Sequence, residues 1–255
     1  MKEWSHASGV PASPRALARL SREGAKPGER PLVHTFGFTV LSGLVYLVGA
    51  IACLWQWNSS RPWERIDAFS GGFLALSVCW GLAMLWYHRP IYRSEEVMRE
   101  AAGVTYDPWM LRWIVIFGFA EWTVYLDYGH WHLVPALENH VLQSIGLGLY
   151  LFATVWLIWT DRYLSKVFAG ELSDRKVMDK GPYRFVRHPR YAALIGARVA
   201  LALALGSVLG WFLFIGWLAV NLKRVELEEN HLRGLFGASY ERYARRTARF
   251  VPGIY

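Results

Sequence analysis

Arg187, His188 and Tyr191 stand in the stretch GPYRFVRHPRY (residues 181–191), and Glu228 and Glu229 stand in RVELEENHLRGLFGASYERY (residues 224–243). Between the two lies a continuous apolar run, residues 192–222, 31 residues long, where one membrane-crossing helix needs roughly 20. The run must therefore fold back, and Gly206-Ser207-Val208-Leu209-Gly210 is the expected break because paired glycines favour a turn. Folding there puts His188 opposite about Glu228 and Tyr191 opposite about Glu226, since each pair is equidistant from the turn. A guanidinium, an imidazole, a phenol and adjacent carboxylates then converge at one membrane surface.

That combination has a definite chemistry. Pro189 stops any preceding helix and forces His188 extended, so the next helix starts near Pro189 with its free N–H groups and positive dipole end beside His188. Such an end, with Arg187, collects a carboxylate or phosphate. Adjacent carboxylates beside a bilayer repel unless something cationic or hydrogen-bonding lies between them. One half favours an anion and the other a cation or hydroxyls, so a zwitterionic cofactor is the natural guest. The blander alternatives are Arg184, Arg187 and Arg190 touching lipid phosphates, and Lys223–Glu226 and Arg224–Glu228 as ordinary surface pairs on a solvated helix.

The elements that would position these groups are membrane helices. The chain is 54% hydrophobic with 14 Trp and a positive mean hydropathy, which excludes an ordinary soluble domain. The sequence predicts an all-α polytopic bundle of about six spans, near 32–57, 66–88, 109–128, 141–160, 191–206 and 209–223. In the third, Asp107 would cap and Pro108 would take the first helical position. Alternate segments carry 25 and 2 Lys and Arg, and the remaining one, Arg198, lies inside a span. The positive-inside rule therefore puts both termini and both polar clusters in the cytoplasm. The net charge of +8 is that belt, favouring anionic headgroups and calling for no nucleic-acid partner. Residues 1–31 form a basic tail without the apolar core of a signal peptide, so the first span is expected to act as the insertion signal. Cys53 and Cys79 have no ligand spacing and read as reduced thiols, and no metal site is expected. The sequence divides into the tail, membrane helices over residues 32–140, and a core over residues 141–255.

The string GPYRFVRHPRY, then R-x-x-x-E-E and L-x-x-x-F-G-x-x-Y-x-x-Y, resembles isoprenylcysteine carboxyl methyltransferases and phospholipid N-methyltransferases over roughly the last 75 residues. The resemblance implies S-adenosylmethionine as cofactor, bound at the cytoplasmic face, with an apolar, lipid-like or isoprenoid acceptor (carboxylate, thiol or amine) entering from the bilayer. It makes Tyr183, Arg187, His188 and Tyr191 the first half of the cofactor site and Glu228 and Glu229 the second. Gly146 and Gly148 stand where the family has a G-x-G, though small residues in spans also serve helix packing. Arg224 and Tyr240 match family positions, and Arg224, Glu228 and His188 are the candidate catalytic residues. The family usually has glycine where this chain has Ala193.

Arg198 lies at a depth where an ionisable group is a functional candidate. Its hairpin-level neighbour is Asn221, and the two are candidate substrate contacts. Glu121, Asp127, His130, His132 and His140 read as polar groups of the far side, and Trp122, Trp131, Trp156 and Trp159 as interface aromatics. Two other function classes fit parts of the chain. An NADPH-dependent membrane sterol or steroid reductase shares the RHP-x-Y turn and the Pro252-Gly253-Ile254-Tyr255 tail. A non-enzymatic membrane assembly or transport factor would need no cofactor cleft.

Overall fold

A computed structural model describes residues 33–87, 108–168 and 177–253. The basic tail, Asp107 and the last two residues lie outside them. The helices are α1 (Val33–Leu54), α2 (Ala68–Tyr87), α3 (Pro108–Ala120), α4 (Trp122–Leu126), α5 (His140–Phe168), α6 (Pro189–Ala204), α7 (Val208–Phe236) and α8 (Ala238–Arg246). A π turn, Asp127–Trp131, extends α4, and short 3₁₀ turns occur at Pro135–Leu137 and Gly181–Arg184. Among the described residues there are helices and one isolated bridge, Val186 with Ala248, and no extended sheet.

Each expected span overlaps helix, the third divided among α3, α4 and the π turn, and Pro108 opens α3 as its fixed φ favours. Among the described residues three helices are long and apolar enough to cross a membrane: Ala68–Tyr87, His140–Lys166 and Val208–Phe236. α6 has 16 residues, about 24 Å at 1.5 Å per residue. Large apolar side chains point outward along the bundle, including Val48 on α1, Leu82 on α2, Phe152 on α5 and Phe212 and Ile215 on α7. A surface of that character fits hydrocarbon rather than water.

The interior is built by close approach of backbones. α6 is alanine-rich and packs along α5, with α2 on the other side of α5 and α7 on the other side of α6. A Cβ on Gly146 of α5 would fall 2.4 Å from the Ala204 nitrogen, and one on Gly210 of α7 would fall 2.8 Å from the Ala202 Cα. The core also takes Ala50 and Leu54 from α1, Phe73 and Leu74 from α2, and Val124 and Tyr125 from α4. The first half of the chain is thus packed into the same core as the second.

The hairpin turn falls where the paired glycines predict. α6 ends at Ala204, Gly206 takes φ +55°, and Ser207 accepts a hydrogen bond from the Gly210 N–H as N-cap of α7. Ser207 Oγ also donates to Asp127 Oδ2 at 2.5 Å, tying the turn to the end of α4. α7 does not stop with its apolar residues. It runs straight on to Phe236 and carries Arg224, Glu228 and Glu229 out on a rigid rod.

Candidate active site

The first strand of the site is fixed by its backbone. Gly181 takes φ +59° against the Tyr163 ring, and the turn it opens ends in extended chain at Val186–His188 before Pro189 starts α6. Residues 186–188 run parallel to residues 248–249 near the C-terminus: Arg187 N–H donates to the Ala248 carbonyl at 2.8 Å and His188 N–H to the Arg249 carbonyl at 3.1 Å. Gly237, at φ +49°, ends α7 and turns the chain back into α8. α8 buries Tyr240, Tyr243 and Ala244 against Val177, Leu232 and Phe236, and Tyr243 donates its hydroxyl to the Tyr183 carbonyl at 2.7 Å.

Glu229 sits at the centre with 0% exposure. Its Oε1 accepts from Arg187 Nε at 3.1 Å, His188 Nε2 at 3.2 Å and Arg249 Nε at 3.2 Å. Its Oε2 accepts from Arg249 Nη2 at 2.8 Å and Arg233 Nη2 at 3.4 Å. Arg187 is equally enclosed, its Nη1 donating to the carbonyls of Ala244 and Thr247. Three guanidinium groups around one carboxylate keep it in its charged form.

Glu228, the next residue, has 23% of its side chain exposed. It accepts from the Tyr191 hydroxyl at 2.5 Å and from Arg224 Nε at 3.3 Å, and His188 Nδ1 lies 3.9 Å away. Arg224 covers the Tyr191 ring at 5.7 Å, and the His188 ring packs between Tyr191 and Phe250. Trp156 donates to the Pro189 carbonyl at 3.0 Å, and Arg190 lies 3.5 Å from the buried Asp161, both securing α5 to the start of α6. Burial pushes the Tyr183 phenol well above its ordinary value; nearby Arg190 opposes this, and Glu228 and Asp161 add to it. Burial, then Glu229, pushes Tyr240 up to about 12, so it stays a neutral phenol.

The structure thus brings together Arg187, His188, Tyr191, Arg224, Glu228 and Glu229, while Tyr183 and Tyr240 each contact Tyr243. It corrects the register: Tyr191 meets Glu228, not Glu226. Side chains on a helix lean toward its N-terminus, so those of α6 lean outward and those of α7 lean inward, and the two meet beyond the level that counting from the turn gives. Gly146 and Gly148 are not brought to the cluster. Gly146 lies against Ala204, about 22 Å from Pro189 along α6 at 1.5 Å per residue. Gly148 is exposed, with open space where a Cβ would be. Asn221 is not the partner of Arg198 but donates to the Trp217 carbonyl of its own helix at 2.8 Å. Arg198 pairs instead with Glu121 and lies over the Trp217 ring at 5.4 Å. Counting along the hairpin missed this because the α3–α4 junction, not α7 alone, lies across from α6.

Arg233 and Arg249 were not foreseen. Arg233 was readable, being four residues after Glu229 on one helix face. Arg249 follows α8 in an extended segment with no periodicity, so only the tertiary fold reveals it. Asp127 lies at the turn end of the hairpin, in contact with Ser207, whereas Glu121, expected beside it, pairs with Arg198 within the bundle. His132 there contacts Arg65 Nη2 at 2.9 Å and also Glu138, and His140 packs on Phe69. Among the described residues no cluster of three or more His, Cys, Asp or Glu could hold a metal.

An α-helical bundle with apolar outer faces and this charged cluster at the mouth of its last hairpin is the frame of a membrane enzyme. The phospholipid methyltransferase family model matches residues 141–239. A probable protein-S-isoprenylcysteine O-methyltransferase of Oryza sativa subsp. indica is 35% identical over 132 residues, 48% of this chain and 68% of that protein. The Schizosaccharomyces pombe protein-S-isoprenylcysteine O-methyltransferase is 28% identical over 46% of this chain and 50% of its own length. The Dictyostelium discoideum protein of the same name is 22% identical over 65% of this chain and 70% of its own length. No solved structure matches. The chain belongs to the isoprenylcysteine O-methyltransferase family of membrane methyltransferases.

Proposed function

We propose that the chain transfers a methyl group from S-adenosylmethionine, at the cytoplasmic face, to an apolar acceptor of lipid or isoprenoid character. The observation that carries this reading is the meeting of His188 and Tyr191 with Glu228 at the cytoplasmic mouth of the α6–α7 hairpin. These residues fit a zwitterionic cofactor. Glu228 offers a partly exposed carboxylate for an ammonium or ribose hydroxyls, and the N-terminus of α6 at Pro189 offers unpaired backbone N–H groups for a carboxylate. Bound there, S-adenosylmethionine supplies an electrophilic methyl on a sulfonium. The residues do the rest: they orient the acceptor in line, where positioning alone can supply several kcal/mol of the barrier.

The acceptor's identity decides what base is needed. A carboxylate or thiolate arrives as its own nucleophile, and a dry site at the bilayer edge strengthens its attraction to the cationic methyl donor. An amine or hydroxyl must lose a proton, and His188 is the group for that step. The names of the relatives favour a carboxylate on a prenylated cysteine, and they favour methyl transfer over the reductase and assembly-factor readings. In this reading the chain is multi-pass with both termini cytoplasmic, residues 141–255 form the catalytic core, and Arg198 lies on the acceptor's path from the bilayer.

The test is to supply methyl-tritiated S-adenosylmethionine to membranes carrying the chain and measure the mass of the labelled product. A labelled prenylcysteine ester is the expected outcome. Label in free phosphatidylethanolamine derivatives would move the acceptor to a phospholipid amine. No label above membranes lacking the chain would overturn the reading.

A further inference from the structure

The adjacent glutamates look alike in sequence, yet the structure gives them opposite surroundings. An ionised carboxylate has about four lone-pair positions. Glu229 has five nitrogen atoms within hydrogen-bonding distance, from Arg187, His188, Arg233 and Arg249, and no exposed surface. Nothing is left with which to hold a ligand. Glu228 is held by Tyr191 and Arg224, one contact each, and keeps part of its surface open. We propose that only Glu228 of the pair touches the cofactor, and that Glu229 is a positioning residue locked by Arg249 of the segment 247–250. This inference rests on the cofactor reading above and divides its labour.

The lock is built so that each part needs the others. The segment 247–250 reaches the site by backbone pairing, Ala248 and Arg249 accepting from the N–H groups of Arg187 and His188. Arg187 returns the contact by donating to the Ala244 and Thr247 carbonyls. Arg249 then grips Glu229 with two nitrogen atoms, a fork geometry that lysine cannot reproduce. Glu229 in turn accepts a hydrogen bond from His188 Nε2, which leaves Nδ1 on the side of Glu228. Arg249 therefore acts on the cofactor through Glu229, His188 and Glu228 in series, without touching it.

The experiment uses the full chain in lipid nanodiscs, with S-adenosylhomocysteine binding by calorimetry, methyl-transfer kinetics across pH, and hydrogen exchange at the Arg187 and His188 amides. E228Q is expected to weaken binding by about tenfold or more, as loss of a hydrogen bond to a charged group does. R249K and R249Q are expected to hold the binding constant within about threefold while lowering kcat by about tenfold, which is the split of a group that sets geometry rather than binds. They should also displace the pH profile of kcat and speed exchange at the two amides. E229Q is expected to follow R249Q. Wild-type protein that takes up no S-adenosylhomocysteine overturns the cofactor reading itself. Wild-type binding, with E229Q losing affinity in step with E228Q, overturns only the division between the glutamates. Should E229Q fail to fold, R249Q decides: weaker binding with kcat, pH profile and amide exchange unchanged overturns the lock.

Discussion

The two ends of the α6–α7 hairpin each gather acidic and basic side chains, and they use them differently. At the turn end, carboxylates serve the backbone. Asp127 accepts from Leu133 N–H at 2.9 Å and from Ser207, and Asp67 caps α2 through the N–H groups of Phe69 and Ser70 at 2.9 and 3.0 Å. Tyr128 donates to the other Asp67 oxygen, and Arg65, His132 and Glu138 satisfy one another. At the mouth end, Glu228 has no backbone partner, only side chains from α6 and α7. A carboxylate that caps amides cannot let go without unravelling a helix end. One held by side chains can exchange them for a ligand with the helix intact, so the comparison separates a structural polar cluster from a chemical one.

Five substitutions test that separation. Arg187→Met strips a partner from an enclosed ion pair and should destabilise the protein by about 3–5 kcal/mol, read as a lower midpoint in detergent-solubilised unfolding. Asp127→Ala removes the tie between the turn and α4 and should cost about 1–3 kcal/mol, with cofactor affinity by calorimetry unchanged. A loss of affinity there would break the comparison. Gly146→Ala forces a methyl against the Ala204 backbone and should cost about 1–3 kcal/mol. Gly148→Ala, facing open space, should stay within about 0.5 kcal/mol. If Gly148→Ala alone abolished cofactor binding, the glycine pair would belong to the site after all. Tyr191→Phe is the mildest change made within the cluster. It keeps the ring under Arg224 and loses one hydrogen bond to Glu228, worth about 0.5–1.5 kcal/mol, or about 2–10-fold in cofactor affinity.

The hairpin was legible because its signals are local. Paired glycines marked the turn, Pro189 marked the start of α6, and the length of the apolar run required a fold-back. The meeting of His188 with the paired glutamates followed from symmetry about that turn. What escaped were contacts that depend on how side chains lean and on a third element arriving from elsewhere. The partner of Tyr191 was displaced by the tilt of Cβ vectors, the partner of Arg198 came from the α3–α4 junction, and Arg249 came from an extended segment with no helical period. The two glutamates could not be told apart either, because burial is a property of the packed bundle and not of the string E-E.

The pairing of residues 186–188 with residues 247–249 also has a temporal side. Arg187 and Thr247 are 60 residues apart, so at ordinary elongation rates the later one is made roughly 3–12 s after the earlier. Glu229 is followed by Arg249 only 20 residues later, so the carboxylate waits about 1–4 s for that partner while Arg187 is already in place. The turn end, whose partners Asp127 and Ser207 are both made earlier, can therefore be complete before the mouth end is.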